Sequence, residues 1–417
     1  MAVDSTAKSE VREPPAPRKD RTGLVDRRRF LALGAAAGGA ALAGSAGRAS
    51  AGHLPPLPTT DRPPPARGLI SYEETRLAFR CHGFHLEMLD QPITPLGSHF
   101  QLIHFDIPKL SSSDYSVTIG GRVSTPLTLT LDDLRSRTPQ VTQASILECA
   151  GTGRSYAHPR AIYVPWFNED IGNYEYTGTP LGPILREAGL SPDATEVVFT
   201  GHDAGYDLGV HHRFERALPL DEALADEVIL AWEANGQPLL PAHGFPLRLI
   251  VPTWYGMVSV KWLKAITVID HPFQGVQQTQ VYRQSLSGSD AGRPIQKKSV
   301  RSSLAPPGDP DLVSRHRFLP RGTHVVRGMA WSGHGPIVRV EVSTDGLRTW
   351  RDAERGANGF PTTWTPWQFS WQAGTPGRYV IASRATDSAG NVQPLRPFWN
   401  VQGMAQNAVE QVAVEVV

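Results

Sequence analysis

The last third of the chain alternates large apolar and polar side chains with a period of two. Val338, Val340 and Val342 form one run, Trp367, Phe369 and Trp371 a second, and Tyr379 and Ile381 a third. A pleated strand puts residues i, i+2 and i+4 on one face, whereas a helix scatters them. Asp345-Gly346 and Ser388-Ala389-Gly390-Asn391 supply turns between and after the runs. Several short strands at this spacing predict an all-β, immunoglobulin-like sandwich over 276–417. Its first part, 277–308, reads as polar and loop-like. Over 68–275 helix and strand signals mix irregularly, which predicts an α+β domain rather than a βαβ repeat. Thr130, with acids at Asp132 and Asp133, is the expected N-cap of a short helix over 129–137. A strand over 141–147 runs directly into Glu148-Cys149. A helix over 179–188 ends at Gly189, and strands are expected over 196–200 and 247–251.

The N-terminus reads as targeting rather than fold. Asp26-Arg27-Arg28-Arg29-Phe30-Leu31 precedes a weakly apolar stretch, 31–47, and Ala49-Ser50-Ala51 offers a cleavage site. Residues 1–51 therefore read as a twin-arginine signal peptide for the Tat export machinery, with an extracytoplasmic, periplasmic destination. The stretch is shorter than the ~20 apolar residues that a membrane span needs. Residues 52–67 are a proline-rich linker. A net charge of +1 over 417 residues gives no general pull toward nucleic acid, so any anion site must be local.

Two cysteines, Cys81 and Cys149, allow either one disulfide or a ligand thiol. The chain has no Gly-x-x-x-x-Gly-Lys, His-Glu-x-x-His, Gly-x-Ser-x-Gly or Cys-x-x-Cys motif, and no Cys-x-x-Cys-His, so no haem is expected in it. Two segments carry the chemistry. In Glu148-Cys149-Ala150-Gly151-Thr152-Gly153-Arg154 a thiol, soft enough for a transition metal, is followed by glycines that let backbone approach a bulky group. Arg154 adds a fork donor for an oxyanion. The second segment places His243, Arg248 and Lys261 in an otherwise apolar stretch. Buried charge costs several kcal/mol unless it finds a partner. That partner is either an acid such as Glu233 or an anionic ligand, and three donors around one strand favour the ligand.

Together these segments resemble the sulfite oxidase family of molybdopterin-dependent oxidoreductases, from about Tyr72 to the C-terminus. The resemblance implies a sulfite-oxidase-type α+β domain followed by a dimerisation domain, and hence a homodimer. The family's Arg-x-His segment is matched to Arg80-Cys81-His82, with Phe79 beside it. Its Cys-Ala-Gly-Asn motif matches Cys149-Ala150-Gly151-Thr152, with a pterin contact at Arg154. A Gly-x-Asp turn matches Gly201-His202-Asp203, and the phosphate ligands match His243, Arg248, Ser259, Val260 and Lys261. Ala330-Trp331-Ser332-Gly333 and Ser343-Thr344-Asp345-Gly346 are similar to motifs of the C-terminal domain. The resemblance implies a molybdenum-molybdopterin cofactor bound through the Cys149 thiolate, with Arg80 and Cys149 as catalytic residues. It also implies oxygen-atom transfer to a small sulfur oxyanion, most simply sulfite, and passage of electrons to a separate cytochrome c-like acceptor or to oxygen.

Three departures bear on the substrate. Thr152 stands where the family has asparagine. Phe214 stands where a reactive tyrosine is expected, before Leu218-Pro219-Leu220. Pro336 follows Gly333-His334-Gly335, where a substrate arginine is expected. Arg80 is then the chief remaining cation, helped by His211, His212 or His334. A sulfoxide reductase or sulfane-sulfur dehydrogenase on the same scaffold is the alternative, as is a cofactor-free binding protein with a degenerate site.

Overall fold

The computed structural model describes residues 72–161 and 163–417. The predicted signal peptide and linker lie outside these residues. Thr130 caps a helix over Leu131–Ser136 as its sequence implies. Its hydroxyl accepts from the Asp133 amide at 3.1 Å, and the Asp133 carboxylate accepts from the Thr130 amide at 2.9 Å. The second expected helix spans Leu181–Glu187, and Gly189 follows it at φ 72°.

Two five-stranded sheets build the first part. In one, Ser116–Gly121 pairs parallel with Leu263–Ile269 and antiparallel with Leu127–Thr130, and Glu196–Asp207 and Val210–Pro219 complete it. In the other, Val141–Glu148, Ile171–Pro180 and Ile229–Ala234 lie side by side. Gln237–Pro238 and Arg248–Ile250 both pair with the last of these. One apolar cluster, including Ile119, Phe199, Ile266, Leu230 and Leu249, ties the sheets together.

The C-terminal part is a sandwich of a four-stranded and a six-stranded sheet. Trp367, Phe369 and Trp371 point into its core as their alternation requires. The run at Val338 departs from expectation. A register shift between Ile337 and Arg339 turns Val338 out and brings Ile337, Val340 and Val342 in. The stretch read as a polar loop over 277–308 is also different. It contains a single π-helical turn, Gln277–Val281, and a fully buried strand, Arg301–Leu304. Polar side chains hid that strand in the sequence, because its burial rests on partners: Ser302 donates to Ser383 at 2.8 Å, and Arg301 is ion-paired.

The two parts meet along Val141–Glu148. The pleat points Ile146 and Glu148 toward the sandwich, where Ile146 packs with Trp331 and Trp364. The Trp331 indole donates to Glu148 at 2.7 Å, and Arg301 lies 3.1 Å from the same carboxylate. Leu147 and Cys149 point the opposite way, into a cleft.

Candidate active site

The cleft, with its open mouth included, holds about 620 Å³ of empty space. Cys149 reaches it from the end of its strand. The cysteine amide donates to the Asp170 carbonyl at 2.9 Å, its sulfur accepts from the Gly151 amide at 3.4 Å, and its carbonyl accepts from the Thr152 hydroxyl at 2.8 Å. Burial, then the charge of Asp170, pushes the thiol well above its ordinary range. Gly151 serves its own chain rather than a bulky ligand: a Cβ there would lie 2.8 Å from the Arg154 guanidinium. The later chain braces this loop. Arg154 donates to Gln402 O at 2.7 Å, and the Ala405 amide donates to Ala150 O at 2.6 Å.

His243, Arg248, Ser259, Val260 and Lys261 all line the cleft, as does Asp203. The short turn Pro241–His243 ends at Gly244, φ 109°, where a Cβ would crowd both Arg248 and Lys261. Neither cation pairs with Glu233. Arg248 donates to the carbonyls of His243 at 2.9 Å and Ser259 at 3.2 Å, and its Nε has no partner among the described residues. Lys261 donates to the carbonyls of Leu102 at 2.7 Å and Ala242 at 3.0 Å. Burial, then Arg248, lowers the Lys261 amine to about 7. Burial with nearby His99, Arg248 and Lys261 lowers His243 to about 2. Asp203 is pushed up to about 7 by burial against the pull of Lys261.

Other expected residues are not brought into the cleft. Phe79 is 85% exposed. The Arg80 guanidinium lies outside, donating to Phe105 O and pairing with Asp106 at 3.0 Å. His82 bridges through its backbone to Gln101 and does not line the cleft. Phe100, Gln101, Leu102 and His104 form its wall instead. Arg154 is buried, but it donates to Val164 and Gln402 carbonyls and does not line the cleft. Neither do His211, His212 and His334. Cys81 and Cys149 are both free thiols, and Cys81 packs on the same apolar cluster as Cys149. Burial pushes the Cys81 thiol up.

Sequence reasoning missed His99, His104 and Tyr282, which line the cleft. His99 and His104 sit in a segment rich in apolar residues, and only their wall position distinguishes them. Burial lowers each ring to about 3, so both are neutral. The His104 Nε2 lies 2.6 Å from the Tyr282 hydroxyl, and the His104 ring stacks on Phe214 at 4.3 Å.

A molybdopterin fits these residues. Buried donors with backbone partners and a spare Arg248 Nε suit a phosphate, and a soft thiol faces the same space. Among the described residues no three His, Cys, Asp or Glu side chains converge as a metal cage.

Residues 104–277 match the family model described as the oxidoreductase molybdopterin binding domain, and 293–417 match the Mo-co oxidoreductase dimerisation domain. The chain is 33% identical to the mitochondrial sulfite oxidase of Drosophila melanogaster, over 79% of this chain and 60% of that protein. It is 32% identical to the sulfite oxidase of Gallus gallus, over 76% of this chain and 72% of that one. The chain thus spans about three fifths of the length of the fly relative. Among solved structures, the sulfane dehydrogenase SoxCD from Paracoccus pantotrophus is similar with a TM-score of 0.70 and 28% identity. The likeness covers 84% of this chain and 93% of that one.

Proposed function

The chain belongs to the sulfite oxidase family, and from that premise we propose that it is a molybdopterin-dependent oxidoreductase that oxidises sulfite to sulfate. The observation that carries this reading is one cleft holding the Cys149 thiol together with a buried His243, Arg248 and Lys261 that pair with no acid. When bound, the cofactor supplies a metal centre that exchanges an oxygen atom and stores two electrons. Sulfite and water give sulfate, two protons and two electrons, and a separate cytochrome c-like acceptor or oxygen takes the electrons. Cys149 would hold the metal, while His243, Arg248, Ser259 and Lys261 would hold the pterin phosphate. Leu147, Phe100 and Trp262 keep water from the buried donors. Metal and pterin analysis of the purified protein, with sulfite-dependent reduction of cytochrome c, is the test. Protein free of molybdenum, or loaded protein inert toward sulfite, overturns the reading.

The same proposal includes a homodimer formed through the C-terminal domain, and export by the twin-arginine route. Replacing Arg27-Arg28 by Lys-Lys is expected to leave a loaded precursor in the cytoplasm; normal export of that variant would refute the signal.

One observation favours a second reading. None of the cations expected to hold a sulfite dianion, namely Arg80, His211, His212 and His334, lines the cleft. The groups beside Phe214 are the neutral His104 and Tyr282. A less charged sulfur compound, a sulfane or a sulfoxide, suits such a wall. Turnover of thiosulfate or methionine sulfoxide in preference to sulfite would establish it.

A further inference from the structure

His99 lines the cleft and is 1% exposed, and among the described residues its Nε2 has no partner. A polar atom buried that deeply costs free energy unless water or a ligand meets it. Resting on the reading that the cofactor's phosphate sits at His243, Arg248 and Lys261, we propose that His99 is a further ligand of that phosphate, donating to it from Nε2. The proton it donates is taken from solvent, so cofactor binding consumes a proton at this residue.

The ring is held in one place. A Cβ at Gly172, in the strand Ile171–Pro180, would lie 2.3 Å from it, so glycine is what leaves it room. Phe100 stacks on it at 5.0 Å, and Tyr174 lies tilted against it at 4.6 Å. His243 meets it edge-on at 5.5 Å, which sets His99 beside the phosphate donors. His99 Nδ1 lies 3.0 Å from the Phe100 carbonyl oxygen, an acceptor, so Nδ1 carries the hydrogen. In a neutral ring Nε2 is then a bare lone pair. Such a lone pair repels a phosphate oxygen, whereas a second proton turns Nε2 into a charge-assisted donor.

The surrounding charges decide when that proton is present. Arg248, His82, Lys261 and His243 act on the ring, and Asp203 acts on Lys261. Tyr174 and Tyr176, on the strand behind, are neutral phenols that burial pushes up. Burial, then the charges of Arg248, His82 and Lys261, lowers His99 to about 3, so the chain's own groups keep it neutral. A phosphate dianion beside Arg248 and Lys261 cancels their repulsion and adds an attraction of its own, which favours the imidazolium. The bound state then holds one more proton than the free state, and affinity falls as pH rises. His243 and Lys261 respond in the same direction, so the share of His99 is read as a difference between variants.

The test has two arms. In the loaded enzyme, pterin fluorescence after dialysis follows cofactor release, and His99→Phe should release it about 10- to 100-fold faster than wild type at neutral pH. With the cofactor stripped from the full chain, inorganic phosphate is titrated by calorimetry in two buffers of different ionisation enthalpy, which counts the protons taken up. His99→Phe should bind phosphate about 10- to 100-fold more weakly and take up about one proton fewer. His99→Gln, whose amide donates without a proton from solvent, should recover much of the affinity and still lack that proton. Equal affinity in His99→Phe, or weaker affinity with an unchanged proton count, overturns the proposal. Arg248→Met separates it from the parent reading. Phosphate bound as tightly by that variant as by wild type overturns both, whereas phosphate lost there but unaffected in His99→Phe overturns this proposal alone. Should neither His99 variant fold, a crystal of the wild-type protein soaked in phosphate decides. A phosphate oxygen within hydrogen-bond reach of His99 Nε2 supports the assignment, and a phosphate bound elsewhere in the cleft overturns it.

Discussion

Two clusters of buried basic side chains lie on opposite sides of one strand, and their partners differ. On the sandwich side Arg301 faces the Glu148 carboxylate at 3.1 Å. Lys298 donates to Ile146 O at 3.0 Å and feels the same carboxylate. On the cleft side Arg248 and Lys261 donate to backbone carbonyls, and the nearby Asp203 makes no ion pair with either among the described residues. The first cluster is complete within the protein. In the second, among the described residues no carboxylate forms an ion pair with Arg248 or Lys261, which leaves their charge available to an anionic ligand. Burial alone therefore does not separate a structural cation from a binding one; the identity of the nearest anion does.

The largest effect that would sharpen this contrast comes from the residue at the pivot. Cys149→Ser exchanges a soft ligand for a hard one. Activity is expected to fall by more than about 10³-fold while thermal unfolding stays near that of the wild type, because the sulfur's neighbours are cleft residues. Retention of wild-type turnover would dismiss the thiolate role. One residue earlier the outcome should reverse. Glu148→Leu strands Arg301 in the interior, and denaturant unfolding should show a loss of about 3–5 kcal/mol.

Arg248→Met should then separate the clusters. Without its guanidinium the cofactor-free protein loses no ion pair, only two hydrogen bonds to carbonyls, so its stability should fall by no more than about 1–3 kcal/mol. Cofactor retention should fall about 10- to 100-fold, the equivalent of one charge-assisted hydrogen bond. A variant that unfolds more readily but retains cofactor would place Arg248 with the structural cluster.

The smallest effect is a pH slope. Burial lowers both Lys261 and Lys298 to about 7, against about 10.4 in an unfolded chain. Between these values the unfolded state binds more protons, so stability rises with pH. Above about 8.5 the Cys149 thiol, which burial keeps protonated, opposes the trend. The raised Asp203, Asp170 and Glu410 carboxyls oppose it as well, so each lysine should add at most roughly 1–2 kcal/mol between pH 7 and 8.5, and Lys261→Met should flatten the slope. An unchanged slope would show that Lys261 is not buried in solution.

The sequence was legible where the cause of structure is local. The cap at Thr130, the alternation through Trp367 and Trp371, and the strand that ends at Cys149 all follow from neighbours within a few positions. That His243, Arg248 and Lys261 gather in one place was legible too, since charge within an apolar stretch needs a partner, and the three line one cleft. The placement of Arg80 was not, because motif spacing cannot say which of two adjacent segments lines the cleft. Phe100, Gln101 and Leu102 line it, and the adjacent segment Arg80-Cys81-His82 pairs with them through the His82–Gln101 bridge. Tyr282 was hidden for a related reason: its partner His104 is 178 positions away. The buried strand Arg301–Leu304 reads as polar because its stabilising partners, Glu148 and Ser383, belong to distant strands.

The bracing of the Cys149 loop has a consequence for synthesis. Arg154 is held by a carbonyl 248 positions later, and Ala150 by the Ala405 amide. While the nascent chain is still on the ribosome, the strand bearing Cys149 can pair with its neighbours, but the loop beyond it lacks those two restraints. The finished shape of the cleft must wait for 402–405 to emerge and dock. Loading of a large prosthetic group would accordingly follow translation rather than accompany it. A premature stop before residue 402 would yield a chain that has every cleft side chain and still lacks the frame that holds Cys149 in position.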